Sequence, residues 1–532
     1  MPGTGPPDHP RRRRNALVTE NQTLPTSPQT QHADNRIEKQ ESTLPVLPVG
    51  VDDASAPDPE QVGAQALENP GVLRRRITRL ALPALGENAL ENALDIVNTV
   101  LVSALGAAAL AGAGAALQVM QIVLSALTAL STGASILVAH AVGADEPAEG
   151  TRLARQALMW SLMLSVPIAV AGVLGTGGIV SIFGLAPEAA GVARSYLVIA
   201  MASIPVLAML MISGGVLRGA GDAKTPMYVT MGANVINIGL AYALIHGHFG
   251  MPQLGVAGAA IAGFIARTLA LVAMVWLMAK GRAGVSLARP VGTVLVFWKP
   301  RWDAARAILK LGVPAAAEQL VMSGAWLAFT MIVARIGTEA MAAQRVTSSV
   351  QNVVFLPGLA LMIATTSLVG QALGARRPLL ARQVAGRTER WGMGIAVILA
   401  LVVWLAARPI MALFTDDPKI ITLGAATLPV MMLTQPFWAW TIQNSGMLRG
   451  MRDTISPLVI EAIGNWSAVA AVWFIVQNGG GLTTAWWAYV AVAPLTSLAM
   501  TWRKRVRARK VGAYLPGETL LPRLGKRAVS AG

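Results

Sequence analysis

Leu217 to Pro226 reads LRGAGDAKTP, and Leu448 to Pro457 reads LRGMRDTISP. The stretches share Leu, Arg, Gly, Asp and Pro at identical spacing, 231 positions apart. The offset holds far from these loops. It pairs Pro83 with Pro314, Glu87 with Glu318, Gly106 with Gly337, Phe183 with Phe414, Pro205 with Pro436 and Asn234 with Asn465. It also pairs Leu137-Val138 with Leu368-Val369, and Gly143-Ala144-x-x-Pro147 with Gly374-Ala375-x-x-Pro378. One undisturbed offset over this length means two homologous halves. A solenoid would repeat every 20–50 residues or so. Two long apolar halves point instead to a transporter with its site between repeats.

The composition agrees. Of 532 residues 54% are hydrophobic and 13% charged, against about 25% charged in an average globular domain. Long apolar runs and few charges place the chain in the membrane class. No cysteine is present, which excludes disulfides, thiolate metal sites and cysteine catalysis. The net charge of +16 is read as loops and tails facing the cytoplasm, not as a nucleic-acid surface, because no basic patch is interleaved with aromatics.

Residues 1–70, rich in Pro, Gln, Asn and Asp, read as a disordered cytoplasmic tail, and Arg11–Arg14 precede no apolar segment that would make a signal peptide. Apolar spans follow at 80–103, 117–142, 155–178, 192–216, 227–246 and 255–279. The second set falls at 308–334, 347–372, 386–407, 423–447, 457–477 and 484–502. The expected fold is an all-α polytopic membrane protein with twelve transmembrane helices in two six-helix parallel-repeat lobes. The N-lobe is 71–279, a linker 280–307, the C-lobe 308–505 and a C-terminal tail 506–532. Lys and Arg crowd the loops on one side, while the opposite loops carry only Arg194, Arg335, Arg345, Arg408 and Lys419. By the positive-inside rule the crowded side, with both termini, is cytoplasmic. The expected location is the plasma membrane.

At these residues the sequence resembles the multidrug and toxic compound extrusion (MATE) family of efflux transporters, over roughly 77–505. The resemblance rests on the doubled layout, the L-R-G-x-x-D-x-x-x-P and G-A-x-x-P loops, and Val97-Asn98-Thr99-Val100, which is similar to the family's V-D-T-V. It implies two six-helix lobes and export of organic cations or amphipathic compounds in exchange for H⁺ or Na⁺. Two familiar acids are absent: Asn98 stands in the first span, and Ala241-Tyr242 follow Leu240 in the fifth.

The first span supplies other acids. Glu87, Glu91, Asp95 and Asn98 project within an arc of roughly 80° along about 16 Å of helix. Carboxylates in hydrocarbon face a cavity or a partner, so this stripe is the expected ion-coupling site, with Asn234 and Asn237 assisting. Asp95 is the deepest acid and, with Glu91, the expected carrier of H⁺ in preference to Na⁺. For Glu87 the alternative is pairing with Arg76 or Arg79. Arg267, midway along the sixth span, is expected to find a first-span acid. Glu318, Phe355, Trp438 and Trp440 are candidates for the substrate cavity, and Glu461 for a pair with Arg449 or Arg452. Arg218 with Asp222, and Arg449 with Asp453, read as i, i+4 pairs in structural gate loops. Pro83 is either a bend in the first span or an ordinary first-turn proline. Trp298, Trp302, Trp486, Trp487 and Trp502 read as interfacial anchors.

No cofactor or metal is expected beyond the coupling ion. Expected partners are a small-molecule substrate and membrane lipids, with no nucleic acid, and the chain reads as a monomer. The readings set against efflux are a lipid-linked sugar flippase, which needs a strongly basic cavity, and a non-transporting scaffold. An intramembrane enzyme is not supported, for neither H-E-x-x-H nor G-x-S-x-G occurs.

Overall fold

A computed structural model describes residues 68–281 and 300–513. Nearly all of the tail read at 1–70, most of the linker at 280–307, most of the tail at 506–532 and Trp298 lie outside the described residues. Among the described residues fourteen helices run in the order α1 (Pro70–Ser103), α2 (Ala107–Gly143), α3 (Pro147–Ser181), α4 (Pro187–Ala202), α5 (Ile204–Gly219), α6 (Lys224–His246), α7 (Val256–Ala279), α8 (Trp302–Ala334), α9 (Thr338–Gly374), α10 (Pro378–Leu405), α11 (Ala407–Ala412), α12 (Pro418–Gly450), α13 (Ile455–Gln477) and α14 (Leu482–Lys510). Among the described residues nine helices are long and apolar enough to cross a membrane, and α4 with α5, bent by 51°, make a tenth. The remaining two spans, α1 and α14, carry the acid stripe and the basic run Arg503–Lys510, which dilute their hydropathy.

The doubling is built into the backbone. The ends of α1, α2 and α5, the starts of α2 and α3, and both ends of α6 recur 231 positions later, in α8, α9, α12, α10 and α13. The turns repeat too. Asp145 and Arg376 sit at φ 59° and 54°, Gly221 and Arg452 at 97° and 61°. Each is the left-handed residue that closes a helix, and the next N–H reaches back to the last turn. Thus Glu146 donates to the Ala141 carbonyl at 3.0 Å and Arg377 to Ala372 at 2.8 Å; Asp222 donates to Leu217 at 2.8 Å and Asp453 to Leu448 at 2.9 Å. The Leu-to-Asp spacing of the LRGxxD motif is the spacing of that closing bond.

The lobes exchange the feet of their first helices. Leu73, Ile77, Leu80 and Ala81 of α1 pack in one cluster with Leu361, Leu368, Leu380, Met447 and Met500 of the second half. Reciprocally, Ile308 and Leu311 of α8 pack with Ile136, Leu137, Leu158 and Ile212 of the first. Above these feet stand Pro83 and Pro314, both inside their helices. Since α1 starts at Pro70, the first-turn reading of Pro83 is corrected: it is an interior proline. It donates no N–H to the Arg79 carbonyl, and a helix missing that bond bends more readily there. Beyond it, α1 turns to its own lobe, where Asn234 of α6 donates to the Leu90 carbonyl at 3.0 Å.

Candidate functional site

The stripe begins with an ion pair. Arg218 Nη1 reaches both oxygens of Glu87 at 2.9 Å. In the other lobe Arg449 Nη2 reaches Glu318 Oε1 at 2.6 Å. The two pairs occupy matching positions of the repeat, and both are largely buried, with side-chain exposures of 18% and 13% against 14% and 4%. Neither i, i+4 pair expected inside the gate loops forms. The arginines turn back to the first helix of each lobe, and the aspartates cap the next helix. Asp222 accepts from the N–H groups of Lys224 and Thr225 and from the Thr225 hydroxyl. Asp453 accepts from the Ser456 N–H and hydroxyl, and from Arg503 at 3.0 Å. Unpaired N–H groups at a helix start favour a capping carboxylate over a surface pair. Neither partner suggested for Glu87 is the one it has: Arg76 binds Glu68 at 3.0 Å, and Arg79 forms no ion pair among the described residues.

Glycines of the G-A-x-x-P loops bring the lobes into contact. A Cβ on Gly143 would strike the Gln371 carbonyl, and one on Gly374 the His140 carbonyl. Side chains then cross the seam at matching positions. The Nε2 of His140 lies 2.8 Å from the Gly450 carbonyl, and the Gln371 amide donates to the Gly219 carbonyl at 2.9 Å. Further contacts join Trp160 Nε1 to the Arg301 carbonyl and Gln383 to Glu68. All lie at the end of the bundle where Lys and Arg are concentrated, so this end is latched shut.

Further along α1 the lobes differ. Glu91 and Asp95 lie on the exposed side of α1, one turn apart. Arg267 of α7 lies within electrostatic reach of Glu91, Asp95 and Tyr196, in the first-span neighbourhood expected for it. Asn98 and Asn237 each keep a buried side-chain oxygen with no hydrogen-bond partner among the described residues. Asn237 and Arg267 both approach Gly263. The site therefore gathers two carboxylates, one guanidinium and two free amide oxygens. At the repeat positions of Glu91, Asp95 and Arg267 the C-lobe has Met322, Trp326 and Leu498. It has Glu461 instead, 7% exposed and within electrostatic reach of Glu318 and Arg449. Arg449 is bonded to Glu318, so the expected pairing of Glu461 with Arg449 is a neighbourhood and not a bond.

The aromatic candidates divide. Trp438 lies in the C-lobe interior, 6.5 Å from Trp486 and 6.3 Å from Tyr489 between ring centres, so its packing accounts for it. Trp440 and Phe355 are half-buried. The reading of Trp486 as an interfacial anchor is overturned: it is 0% exposed, and its Nε1 donates to Gln344 Oε1 at 3.0 Å. Trp302, Trp487 and Trp502 are exposed, as an anchor must be. Sequence reasoning missed His140 and Gln371, since a search for identical residues passes over a His–Gln match. It also missed the partners of Glu87 and Glu318, although acid and base recur together at the offset. Among the described residues no three His, Asp or Glu gather as metal ligands.

Paired six-helix halves with buried ion pairs at matching positions define a membrane transporter of repeat architecture. The comparisons specify which. The MatE family profile matches residues 83–243 and 314–474, two segments separated by the same offset. A probable multidrug resistance protein NorM of Thermotoga maritima is 32% identical over 453 residues, covering 81% of this chain and 94% of the relative. A multidrug resistance protein NorM of Burkholderia vietnamiensis is 28% identical, covering 80% and 92%. Among solved structures, an outward-facing MATE-family multidrug resistance transporter of the MOP superfamily superposes with TM-score 0.76 at 22% identity, covering 82% of this chain and 96% of the other. The chain belongs to the multidrug and toxic compound extrusion family of transporters.

Proposed function

We propose that the protein is an antiporter of the plasma membrane that exports organic cations, drugs or amphipathic metabolites, driven by protons entering through the N-lobe. Both termini face the cytoplasm in this reading, by the distribution of Lys and Arg. The observation that carries it is the grouping of Glu91 and Asp95 on α1 with Arg267 of α7 within electrostatic reach of both. With both carboxylates ionised the group carries one net negative charge; a single proton neutralises it. A sodium ion would also neutralise it, and Arg267 opposes either cation, but a metal ion needs several oxygen ligands where a proton needs one. This favours H⁺. The free oxygens of Asn98 and Asn237 are acceptors for the O–H that forms.

Pro83 supplies the coupling. The foot of α1 is held by the C-lobe; the stripe above it is held by the N-lobe through Arg218 and Asn234. Any rocking of one lobe against the other bends α1 at the joint between them. A change in the charge of Glu91 and Asp95 then shifts the balance of states, provided the proton binds one state more tightly. Opening the basic end breaks the His140–Gly450 and Gln371–Gly219 contacts. The test is uptake of a fluorescent organic cation into proteoliposomes, with the pH and sodium gradients imposed separately. The account expects a pH gradient alone to drive accumulation. Accumulation with sodium alone contradicts it.

A further inference from the structure

A cavity of about 460 Å³ opens between α1 and the start of α6, at the basic end, and the proposed antiport leaves it unused. Arg79, Asp222, Lys224, Thr225 and Tyr228 line it, with the backbone of residues 220–223. Both Asp222 oxygens are already engaged by the N–H groups of Lys224 and Thr225 and the Thr225 hydroxyl. Arg79 and Lys224 form no ion pair among the described residues and are exposed.

The two walls continue as graded stripes. On α1 exposed Arg75 and Arg79 give way to Leu82, 64% exposed; on α6 exposed Lys224 gives way to Tyr228, Met231 and Val235, 56%, 42% and 68% exposed. Each stripe passes from cation to apolar surface within two or three turns, and α6 has its tyrosine at the boundary. That is the profile of a headgroup region meeting acyl chains. A free anion would have no use for the apolar continuation. The C-lobe lacks the arrangement: Lys310 stands at the position of Arg79, but Ile455 and Val459 replace Lys224 and Tyr228.

We propose that this cavity binds the phosphate headgroup of an anionic phospholipid, gripped by Arg79 and Lys224, with its acyl chains along Leu82, Met231 and Val235. The geometry gives the lipid a mechanical position. Arg79 belongs to the foot of α1 docked on the C-lobe, and its carbonyl is the one Pro83 leaves without a donor. Lys224 and Tyr228 belong to the N-lobe. One headgroup thus ties the foot of α1, just before Pro83, to the start of α6 in the N-lobe.

The experiment is native mass spectrometry of the full chain in detergent, titrated with phosphatidylglycerol. Phosphatidylcholine is the zwitterionic comparison and excess inorganic phosphate the competitor. Each surface cation contributes about a few-fold to the affinity for an anionic headgroup. The Arg79→Gln, Lys224→Gln double variant is expected to lose the tightest phosphatidylglycerol adduct, with affinity falling about tenfold. Lys310→Gln, the matching change in the C-lobe, is expected to leave it intact. Both altered side chains are exposed, so the fold is retained, which the unchanged melting temperature checks. An equally tight adduct in the double variant overturns the proposal. So does displacement of the lipid by inorganic phosphate, which would make the cavity a free-anion site.

Discussion

The two lobes share one frame and carry different chemistry on it. Each has a first helix with an interior proline, an acid one turn further on, and an arginine from the LRG loop bonded to that acid. Beyond this frame the N-lobe adds Glu91 and Asp95, both exposed, with Arg267 nearby, while the C-lobe adds Glu461 in its interior and has Met322 and Trp326 at the stripe positions. Trp326 belongs to an aromatic cluster with Phe329 and Trp486, at 5.5 and 6.5 Å between ring centres. What was repeated builds the machine; what diverged tells the lobes apart in function. In the proposed antiport the titratable groups that carry the proton are those of the N-lobe.

The sharpest stability contrast lies in the shared pairs. Removing one partner of a buried ion pair leaves the other charge uncompensated, at about 3–5 kcal/mol. Glu318 is the more buried acid, at 4% exposure against 13% for Glu87. Glu318→Ala is therefore expected to lower the melting temperature in detergent more than Glu87→Ala. Equal losses would mean that the pairs are equivalent in energy as well as in position.

A smaller effect is expected at the latch. His140→Ala and Gln371→Ala each remove one contact across the seam, worth about 1 kcal/mol. Each should raise the population open at the basic end by roughly fivefold. Because the chain has no cysteine, a single cysteine introduced beside the seam reports that population by its labelling rate. If only one variant labels faster, the latch is not symmetric in energy.

Much of this fold was legible in the sequence, because membrane helices announce themselves by length and because a fixed offset survives wherever both halves keep the same turn. The LRGxxD loops were found for that reason. Their internal pairing was misread, since i, i+4 spacing is a rule for helix surfaces and these residues straddle a helix end, where unpaired N–H groups claim the aspartate. The bond from Arg218 to Glu87 joins residues 131 apart, beyond any local rule, though the joint recurrence of acid and base was a usable signal. Trp486 was misplaced because closeness to a span end says nothing about which face of the helix it occupies; Gln344, its partner, is 142 residues away. The acid stripe was readable because helical periodicity alone puts Glu87, Glu91 and Asp95 on one face. Arg267 could be suspected only as a charge in search of a partner.

The central claim is that the coupling proton loads the N-lobe, and gradient-driven efflux by matched variants tests it most directly. Asp95→Asn, Glu91→Gln and Glu461→Gln, reconstituted at equal density, are compared for accumulation of an organic cation under an imposed pH gradient. The account predicts that Asp95→Asn abolishes accumulation, that Glu91→Gln cuts it at least about tenfold, the scale of one lost charge interaction in a protein cleft, and that Glu461→Gln leaves most of it. Full accumulation with Asp95→Asn and Glu91→Gln, together with its loss in Glu461→Gln, would contradict the account and place the coupling ion in the C-lobe.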